Sequence, residues 1–537
     1  MVQVEADMTG SRQDEKQAGV LPGQVSALRA DPIADSPYEE ALSKTGYGKF
    51  HYYVLILFGG TYIASSMEVT LVSFIIPAAK CDFSMSSQDA GILTAAPLFG
   101  MTLGSFFWGF MADLNGRRNV LVYSLIFGGL CGYASSIAQY FPVFLLLRFF
   151  NGFCMVGALS LCLPFLGEFQ PIRIREKVLC WMELAWTSGI ILLPAIAWLI
   201  IPMKFEIKTD YFLFHSWNLF VIASATPAFL LGLWALRFPE SPKFLFDIGE
   251  HEKALEAMKY IYHINTGKPK ETFPVESLEE KGISIVGFSM EYSKTKKHTR
   301  SLSVLVRNMV AIAKTLFKPP YRKKTLLSCS ISFGITSCYY TLMMWFPELF
   351  TRFEYYSVLH PGKSASVCEV SSVFIEREGP CQANIENQVY LNTIIVGIAC
   401  IPTSLWLPTC VNKLGTKFFI VFCVFSASCL SFGMNFVTTS TQNLVLSCLF
   451  EALTSLGVVT LYCILVEIFP TNVRVMATSL TIASGRMGAL LGNLVFGYLI
   501  DLECIVPILL CAGVLFVTGI TCIFLPVKMK IKTIEFI

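Results

Sequence analysis

The sequence has few charged residues for its length. Of its 537 residues, only 15% are Asp, Glu, Lys or Arg and 54% are apolar, whereas about 25% are charged in typical soluble domains. This composition excludes an ordinary soluble protein. The net charge of +3 says little by itself, and we expect no nucleic-acid partner.

Motifs for nucleotide binding and catalysis are absent as well. The sequence has no Gly-x-x-x-x-Gly-Lys-Ser/Thr phosphate loop, so we expect that ATP does not drive the protein directly. Its 18 cysteines show neither the paired spacing of a zinc site nor a disulfide framework. No nucleophile with its base, and no set of metal ligands, converges on one face. We therefore expect neither an enzyme, nor a cofactor, nor a bound metal.

Long apolar runs are the main feature of the sequence. Twelve of them follow a polar N-terminal stretch without periodicity, and each is long enough to cross a bilayer. They predict an all-α membrane protein with twelve transmembrane helices. The runs cover residues 52–77, 89–112, 119–138, 142–166, 176–201, 215–236, 324–349, 389–411, 418–437, 442–466, 475–500 and 504–525.

Basic residues mark the even-numbered connections, such as Arg117 and Arg118 after the second run. Because connections rich in Lys and Arg stay in the cytosol, both termini are predicted to be cytosolic. The start of the chain is acidic and contains proline, unlike a cleavable signal peptide. We expect an integral, multi-pass protein of the plasma membrane or of an intracellular vesicle.

The predicted organisation is a pair of six-helix halves joined by a basic linker. The linker is expected to carry amphipathic helices and to lie near anionic lipid headgroups. The segments are a disordered cytosolic tail over 1–36, one half over 37–236, the cytosolic linker over 237–323, the second half over 324–525 and a cytosolic tail over 526–537.

One sizeable outer loop is predicted, over residues 351–388. It holds Cys368 and Cys381 on the oxidising side of the membrane. The two cysteines can form a disulfide there, and two free thiols are the alternative.

The two halves carry the same motifs at a constant spacing. Gly109-Phe-Met-Ala-Asp-Leu-Asn-Gly-Arg-Arg118 joins the second and third runs, and Asn412-Lys-Leu-Gly-Thr-Lys417 joins the eighth and ninth. Gly116 and Gly415 correspond, 299 positions apart. The same spacing relates Glu168-Phe-Gln-Pro-Ile-Arg-Ile-Arg175 to Glu467-Ile-Phe-Pro-Thr-Asn-Val-Arg474. A repeat of this size predicts two structurally equivalent halves, as in many transporters.

These motifs resemble those of the major facilitator superfamily, whose second connection carries glycine, an acid, glycine and paired basic residues. Leu114 departs from the family's basic residue after the acid, and Asn412 replaces the acid of the second copy. The resemblance implies the superfamily fold, with an ion network that closes the cytosolic face. That network comprises Gly109, Asp113, Gly116, Arg117, Arg118, Glu168, Arg175, Lys417, Glu467 and Arg474.

Four more stretches resemble one branch of the superfamily, the synaptic vesicle glycoprotein 2 and related-protein group, near the organic ion and sugar transporters. Helix 1 of that group has two acids three positions apart, where this chain has Ser65 and Glu68. The group's vesicle glycoproteins also have a longer, glycosylated loop, whereas this sequence has no Asn-x-Ser/Thr sequon. We therefore expect a relative of the group. The stretches are Glu39-Glu-Ala with Gly46-Tyr-Gly-Lys-Phe50, Phe214-His-Ser-Trp217, Pro239-Glu-Ser-Pro-Lys-Phe244 and Gly485-Arg-Met-Gly488.

Ionisable residues inside the runs cost about 2.5–3.5 kcal/mol each, so each calls for a partner or a function. Glu68 and Arg148 lie at similar depths in the first and fourth runs, which the resemblance places on the central cavity, and we predict an ion pair. Glu451 and Arg486 lie in the consecutive tenth and eleventh runs, which predicts a second pair. A static pair that fixes packing is the alternative for each.

Three residues of the fifth run are further candidates. Glu183 lies near the cytosolic end, where a structural and a functional role weigh equally. Trp181 and Trp186, five positions apart, can present indole rings to a cavity, and Trp181 is the favoured ligand contact. Packing or an interfacial position is the alternative for both tryptophans.

The leading hypothesis is a secondary transporter or facilitator of a small, charged organic solute, working by alternating access. A coupled proton or cation, contact with membrane lipids and a monomeric state are expected. The alternative is a transporter fold that does not transport and acts through protein contacts; the acid lost at Ser65 favours it, whereas the retained buried charges favour transport. The substrate or coupling candidates are Glu68, Arg148, Glu183, Trp181, Glu451 and Arg486.

Overall fold

The computed structural model describes residues 37–203, 205–209, 212–278, 314–361, 365–375, 385–502 and 505–526. The predicted tail over 1–36, all but the first residue of the tail over 526–537, and linker residues 279–313 lie outside the described residues. Eleven helical segments in the described part are long and apolar enough to cross a membrane. The all-helical prediction is confirmed.

The helices are α1 (Pro37–Lys44), α2 (Lys49–Thr70), α3 (Val72–Ala78), α4 (Ser87–Asn115), α5 (Arg117–Ser136), α6 (Phe141–Phe169), α7 (Ile172–Ile200), α8 (Ser216–Ala235), α9 (Pro242–Asp247), α10 (His251–Thr266), α11 (Arg322–Leu359), α12 (Val367–Ile375), α13 (Asn387–Leu414), α14 (Thr416–Gly433), α15 (Ser440–Ile468), α16 (Thr471–Leu499) and α17 (Ile505–Ile523). A short hairpin of β1 (Ile207–Thr209) and β2 (Phe212–Phe214) precedes α8. Segments α2 and α3 form one membrane segment, Lys49–Ala78. Helix α16 is not one of the eleven apolar segments, but with 29 residues it is also long enough to cross a bilayer.

Local sequence signals fix several helix ends. Ser86 caps α4, because its hydroxyl accepts from the Asp89 amide at 3.1 Å and the Asp89 carboxylate accepts from the Ser86 amide at 3.0 Å. Gly116 and Gly415 separate α4 from α5 and α13 from α14, with φ of +94° and +80°. A side chain rarely tolerates this conformation, so glycine permits the sharp turn in both halves.

Each half packs around its own bundle, and among the described residues three helix pairs make the main contacts between the halves. Helices α4, α5, α6 and α8 pack together in the first half, and α11 packs on α16 and α14 on α15 and α17 in the second. The contacts between the halves are α4 with α16, α7 with α13, and α3 with α11. The central interface is therefore built by these six helices.

A small cluster outside the membrane segments belongs to the first half alone. Tyr38 and Leu42 of α1 pack on Met258 and Tyr262 of α10. We call α1, α9 and α10 the platform, the end of the molecule that carries it the platform face, and the opposite end, with β1, β2 and α12, the loop face.

Asn265 ties the platform to the start of α2. Its side-chain oxygen accepts from the Phe50 amide at 3.0 Å, and its amide nitrogen donates to the Gly46 carbonyl at 2.9 Å. The same nitrogen lies 3.3 Å from Nδ1 of His51, whose Nε2 lies 3.2 Å from the Phe169 carbonyl at the end of α6. The platform is thus fastened to two membrane helices of the same half.

Candidate functional site

A small cavity lies between the two halves, with about 20 Å³ open to the centre of a water molecule. Its wall is mostly apolar, and Glu451 is the one charged residue among the described residues that line it. The other lining residues are Thr70, Ser73, Phe74, Ile190, Leu193, Pro194, Met343, Phe346, Thr393 and Val396. Its position between halves is where transporters of this architecture bind their solutes.

Glu451 of α15 is 1% exposed, and neither of its carboxylate oxygens accepts a hydrogen bond of regular geometry. The Tyr339 hydroxyl approaches the carboxylate as a donor, but no basic side chain among the described residues pairs with it. The cavity's hydroxyl groups do not serve it, because Thr70 and Thr393 donate to carbonyls of their own helices at 2.7 and 2.8 Å. A buried carboxylate without a counter-ion is unfavourable unless something else binds to it.

The expected Glu451–Arg486 ion pair is not formed, which corrects the sequence prediction. Nη1 of Arg486 instead donates to the Met101 carbonyl of α4 at 3.3 Å. The physical reason is that α15 and α16, although consecutive, make little contact with each other, whereas α16 packs closely on α11 and α4. Arg486 therefore reaches across to the first half, near the middle of both helices.

Aromatic residues from both halves surround this region. Tyr62 and Trp186 meet edge to face with ring centroids 6.3 Å apart, and Tyr339 and Tyr340 lie 5.0 Å apart. Tyr340 and Tyr462 interact electrostatically with Arg486. We call these five residues, Tyr62, Trp186, Tyr339, Tyr340 and Tyr462, the aromatic collar.

The two tryptophans of α7 have different surroundings. Trp186 is 8% exposed and belongs to the collar, whereas Trp181 is 61% exposed. The packing thus places Trp186, rather than the favoured Trp181, beside the interface. Glu183 lies between them and interacts electrostatically with Tyr62, Tyr340 and Tyr462, so it faces the collar as well.

Glu68 and Arg148 form an ion pair, as the sequence predicts, with 3.3 Å between Nη1 and Oε2 and with each side chain 1% exposed. Arg148 also donates to the Ser135 hydroxyl of α5 and lies over the Phe144 ring at 5.8 Å. One oxygen of Glu68 and Nε of Arg148 have no hydrogen-bond partner. Neither residue lines the cavity between the halves; the pair lies against α5, where a Cβ at Gly132 would be 3.7 Å from Oε1 of Glu68.

The motif residues of the first half form contacts within that half. Nη2 of Arg117 lies 3.1 Å from Oε1 of Glu168, and Nη2 of Arg175 lies 2.9 Å from Oε1 of Glu39 in α1. The amides of Arg117 and Arg118 donate to Glu240 at 3.1 and 3.0 Å. The resulting network holds the α4–α5 turn, the end of α6 and the platform together. Asp113 also interacts with another residue. A Cβ atom at Gly109 would meet no other atom within 4 Å.

The second copy is likewise internal to its half. The Thr416 hydroxyl donates to Glu467 at 3.3 Å, Nζ of Lys417 to the Leu525 carbonyl at 3.0 Å, and Nε of Arg474 to the Phe469 carbonyl at 3.1 Å. The ion pairs Arg117–Glu168 and Arg175–Glu39 thus both lie within the first half.

The Tyr38 side chain binds the platform to the end of α6. Its hydroxyl donates to the Glu168 carbonyl at 3.3 Å. Burial raises the pKa of Tyr38 well above its usual range, and the carboxylates of Glu168 and Glu39 raise it further. The phenol therefore stays neutral and serves as a donor.

Sequence reasoning missed a charged cluster at the loop face. Arg352 of α11 lies 3.1 Å from Glu348 and 3.4 Å from Asp501, and its Nη2 donates to the Ser87 hydroxyl of α4 at 3.2 Å. The available signal was the spacing of Glu348 and Arg352, four positions apart at the end of an apolar run. The apolar run predicted from the sequence ends at 349, but α11 continues to Leu359, so Arg352 lies inside the helix.

The outer cysteines differ in part from expectation. Cys368 is disulfide-bonded, and so is Cys81, which follows α3 and was not a candidate. Cys381 lies outside the described residues, so the predicted pairing stays a prediction.

Comparison with known proteins accords with this architecture. Residues 58–375 match the Major Facilitator Superfamily model. The chain is 25% identical to synaptic vesicle glycoprotein 2B of Homo sapiens, over 95% of this chain and 90% of that protein, and 30% identical to synaptic vesicle glycoprotein 2A of Rattus norvegicus, over 59% and 44%. Its fold resembles the inward open conformation of the xylose transporter XylE from E. coli, with a TM-score of 0.62, 15% identity and coverage of 90% and 98%. The chain belongs to the major facilitator superfamily.

Proposed function

We propose that this multi-pass membrane protein is a secondary transporter or facilitator that moves a small organic cation by alternating access. The observation that carries the proposal is Glu451, a buried carboxylate on the wall of the cavity between the halves that no basic side chain among the described residues neutralises. An ammonium group of a bound solute supplies the missing counter-ion.

The charges around the interface favour a cation over an anion. Glu451 and Glu183 contribute two carboxylates, whereas Arg486 contributes one guanidinium that is bound to the Met101 carbonyl. Arg148 is already neutralised by Glu68. An anionic solute would meet an unfavourable field in this low-dielectric site.

The aromatic collar supports the same solute class. Four tyrosines and Trp186 surround the region of Glu183 and Arg486. The faces of such rings attract organic cations, most strongly when the cation is desolvated. Carboxylates together with rings therefore suit a compact ammonium compound.

The arrangement of the halves fits one state of an alternating-access cycle. The described polar contacts between them lie at the loop face and near the middle of the helices. The loop face is thus closed. By the excess of basic residues on the platform side, we assign that side to the cytosol.

Glu68 and Arg148 are proposed as the coupling pair. A proton that neutralises Glu68 would release Arg148 from this carboxylate, and α2 and α6 would then pack differently. Such an exchange between paired and unpaired states is the minimum that coupling to a proton requires.

Uptake by purified protein in proteoliposomes tests the proposal. The panel contains tetramethylammonium, choline and larger quaternary amines, with matched organic anions and neutral polyols. We expect uptake of cations alone, and loss of that uptake in Glu451→Gln but not in Glu256→Gln, which alters an exposed carboxylate of α10. Uptake of anions, or unchanged cation uptake in Glu451→Gln, contradicts the solute class. No uptake by folded protein supports the non-transporting alternative.

A further inference from the structure

Arg352 joins the two halves at the loop face in an asymmetric way. Arg352 forms ion pairs with Glu348 and Asp501, which both belong to the second half. Toward the first half, its Nη2 donates a hydrogen bond to the Ser87 hydroxyl. The guanidinium is therefore neutralised by its own half and bridges to the other through a neutral group.

The surrounding helices allow no gap at this point. A Cβ atom at Gly497 of α16 would lie 2.8 Å from the Ser87 carbonyl and 2.6 Å from Cα of Gly91 in α4. The α4 and α16 backbones thus touch directly beside Arg352. Any opening of the loop face must part these helices and break the Arg352–Ser87 bond.

We propose that Arg352 is the latch of the loop face, closed on Ser87 in this state and released from it when the loop face opens. The proposal rests on the alternating-access mechanism above. On release, Arg352 keeps Glu348 and Asp501, so no buried charge loses its counter-ion. Separating a buried ion pair would leave two uncompensated charges, whereas the Ser87 hydroxyl can exchange the guanidinium for water.

The Arg352–Ser87 hydrogen bond determines how strongly the closed loop face is favoured over the open one. A hydrogen bond to a charged group contributes enough to shift a two-state population by about tenfold or more. Such a contribution holds the loop face closed yet remains within reach of a solute that binds one state better.

The test measures populations without any solute. Spin labels on unnatural amino acids at Met203 and Val358, both exposed at the loop face in different halves, report its opening by pulsed electron resonance. Ser87→Ala is expected to raise the fraction of the open loop face about tenfold. The matched control is Ser105→Ala on the same helix, because that hydroxyl donates only to the Thr102 carbonyl at 2.8 Å, and it should leave the fraction unchanged.

A second variant separates the latch from general destabilisation. Arg352→Lys keeps a positive charge beside Glu348 and Asp501 but lacks the planar fork that reaches Ser87. It should open the loop face as Ser87→Ala does, and the double variant should open it no further, as expected of two changes that remove one bond. Additive effects, or no difference from Ser105→Ala, overturn the latch. Because no solute is present, failure of the uptake experiment leaves this outcome unaffected.

Discussion

Gly116 and Gly415, 299 positions apart, adopt the same backbone conformation: φ and ψ are +94° and 157° at Gly116, and +80° and 151° at Gly415. This region is open almost exclusively to glycine. Each residue turns one membrane helix directly into the next. The repeat seen in the sequence is therefore a repeat of backbone geometry.

Alanine at either glycine is predicted to lower the free energy of unfolding by about 1–3 kcal/mol. Gly116→Ala should be the worse of the two, because its Cβ would lie 2.2 Å from Oε2 of Glu240. Thermal unfolding in detergent measures the effect. Gly513→Ala, where a Cβ meets nothing within 4 Å, is the control, and equal losses in all three variants would contradict the prediction.

Glu68→Gln is predicted to abolish the pH dependence of uptake while the protein still reaches the membrane. The change leaves Arg148 buried without its counter-ion, at a cost of about 3–5 kcal/mol if nothing relaxes. Uptake is measured between pH 5 and pH 8, values that bracket typical compartments. If Glu68→Gln only destabilises, and Glu68→Gln with Arg148→Gln restores both stability and pH-dependent uptake, the pair is structural.

Trp186→Ala is predicted to reduce cation uptake at least tenfold, because Trp186 packs against Tyr62 in the aromatic collar. Trp181→Ala should have little effect, since that ring is mostly exposed. Kinetics of uptake at several solute concentrations compare the two. A larger loss of uptake in Trp181→Ala than in Trp186→Ala would instead identify Trp181 as the ligand contact.

Arg117→Ala is predicted to alter opening at the platform face with little loss of stability. The change removes the guanidinium 3.1 Å from Glu168 and loosens the α4–α5 turn from the end of α6. Labels at Lys253 of the platform and at Phe317, just before α11, are both exposed and measure the opening. Arg237→Ala, an exposed arginine nearby, is the control, and identical distance distributions in both variants would remove the gating role.

Asn265→Ala is predicted to release the platform without unfolding the membrane helices. It removes the bonds to Phe50, Gly46 and His51, which leaves the buried His51 ring with the Phe169 carbonyl alone. Hydrogen exchange should accelerate over residues 38–51 and 250–266 and remain slow in α4 and α6. Thr266→Ala, whose hydroxyl serves only its own helix and the Lys268 turn, should leave exchange near the wild-type rate.

The sequence allowed prediction of features that depend on depth and periodicity. The membrane helices follow the apolar runs, and the Glu68–Arg148 contact follows from two charges at similar depths on neighbouring helices. Glu451 and Arg486 also lie at comparable depths, yet α16 leans on α4 and turns Arg486 away. Which helices are neighbours is decided by packing between distant segments, and this is not visible in local patterns.

The charged cluster of Arg352, Glu348 and Asp501 at the loop face was not predicted, for a related reason. Arg352 and Asp501 are 149 positions apart, and each lies at the end of an apolar run, where charges are ordinarily solvated. Only the close approach of α4 to α16 makes the position buried. A residue's burial at a helix end is a property of its neighbours rather than of its own segment.

The platform is fastened to α2 and α6 but not, in the described residues, to the second half. It lies outside the membrane segments and is joined to both helices by hydrogen bonds, so it moves with them as one unit. Any displacement of α1 or α10 is therefore passed to the first half before it reaches the second.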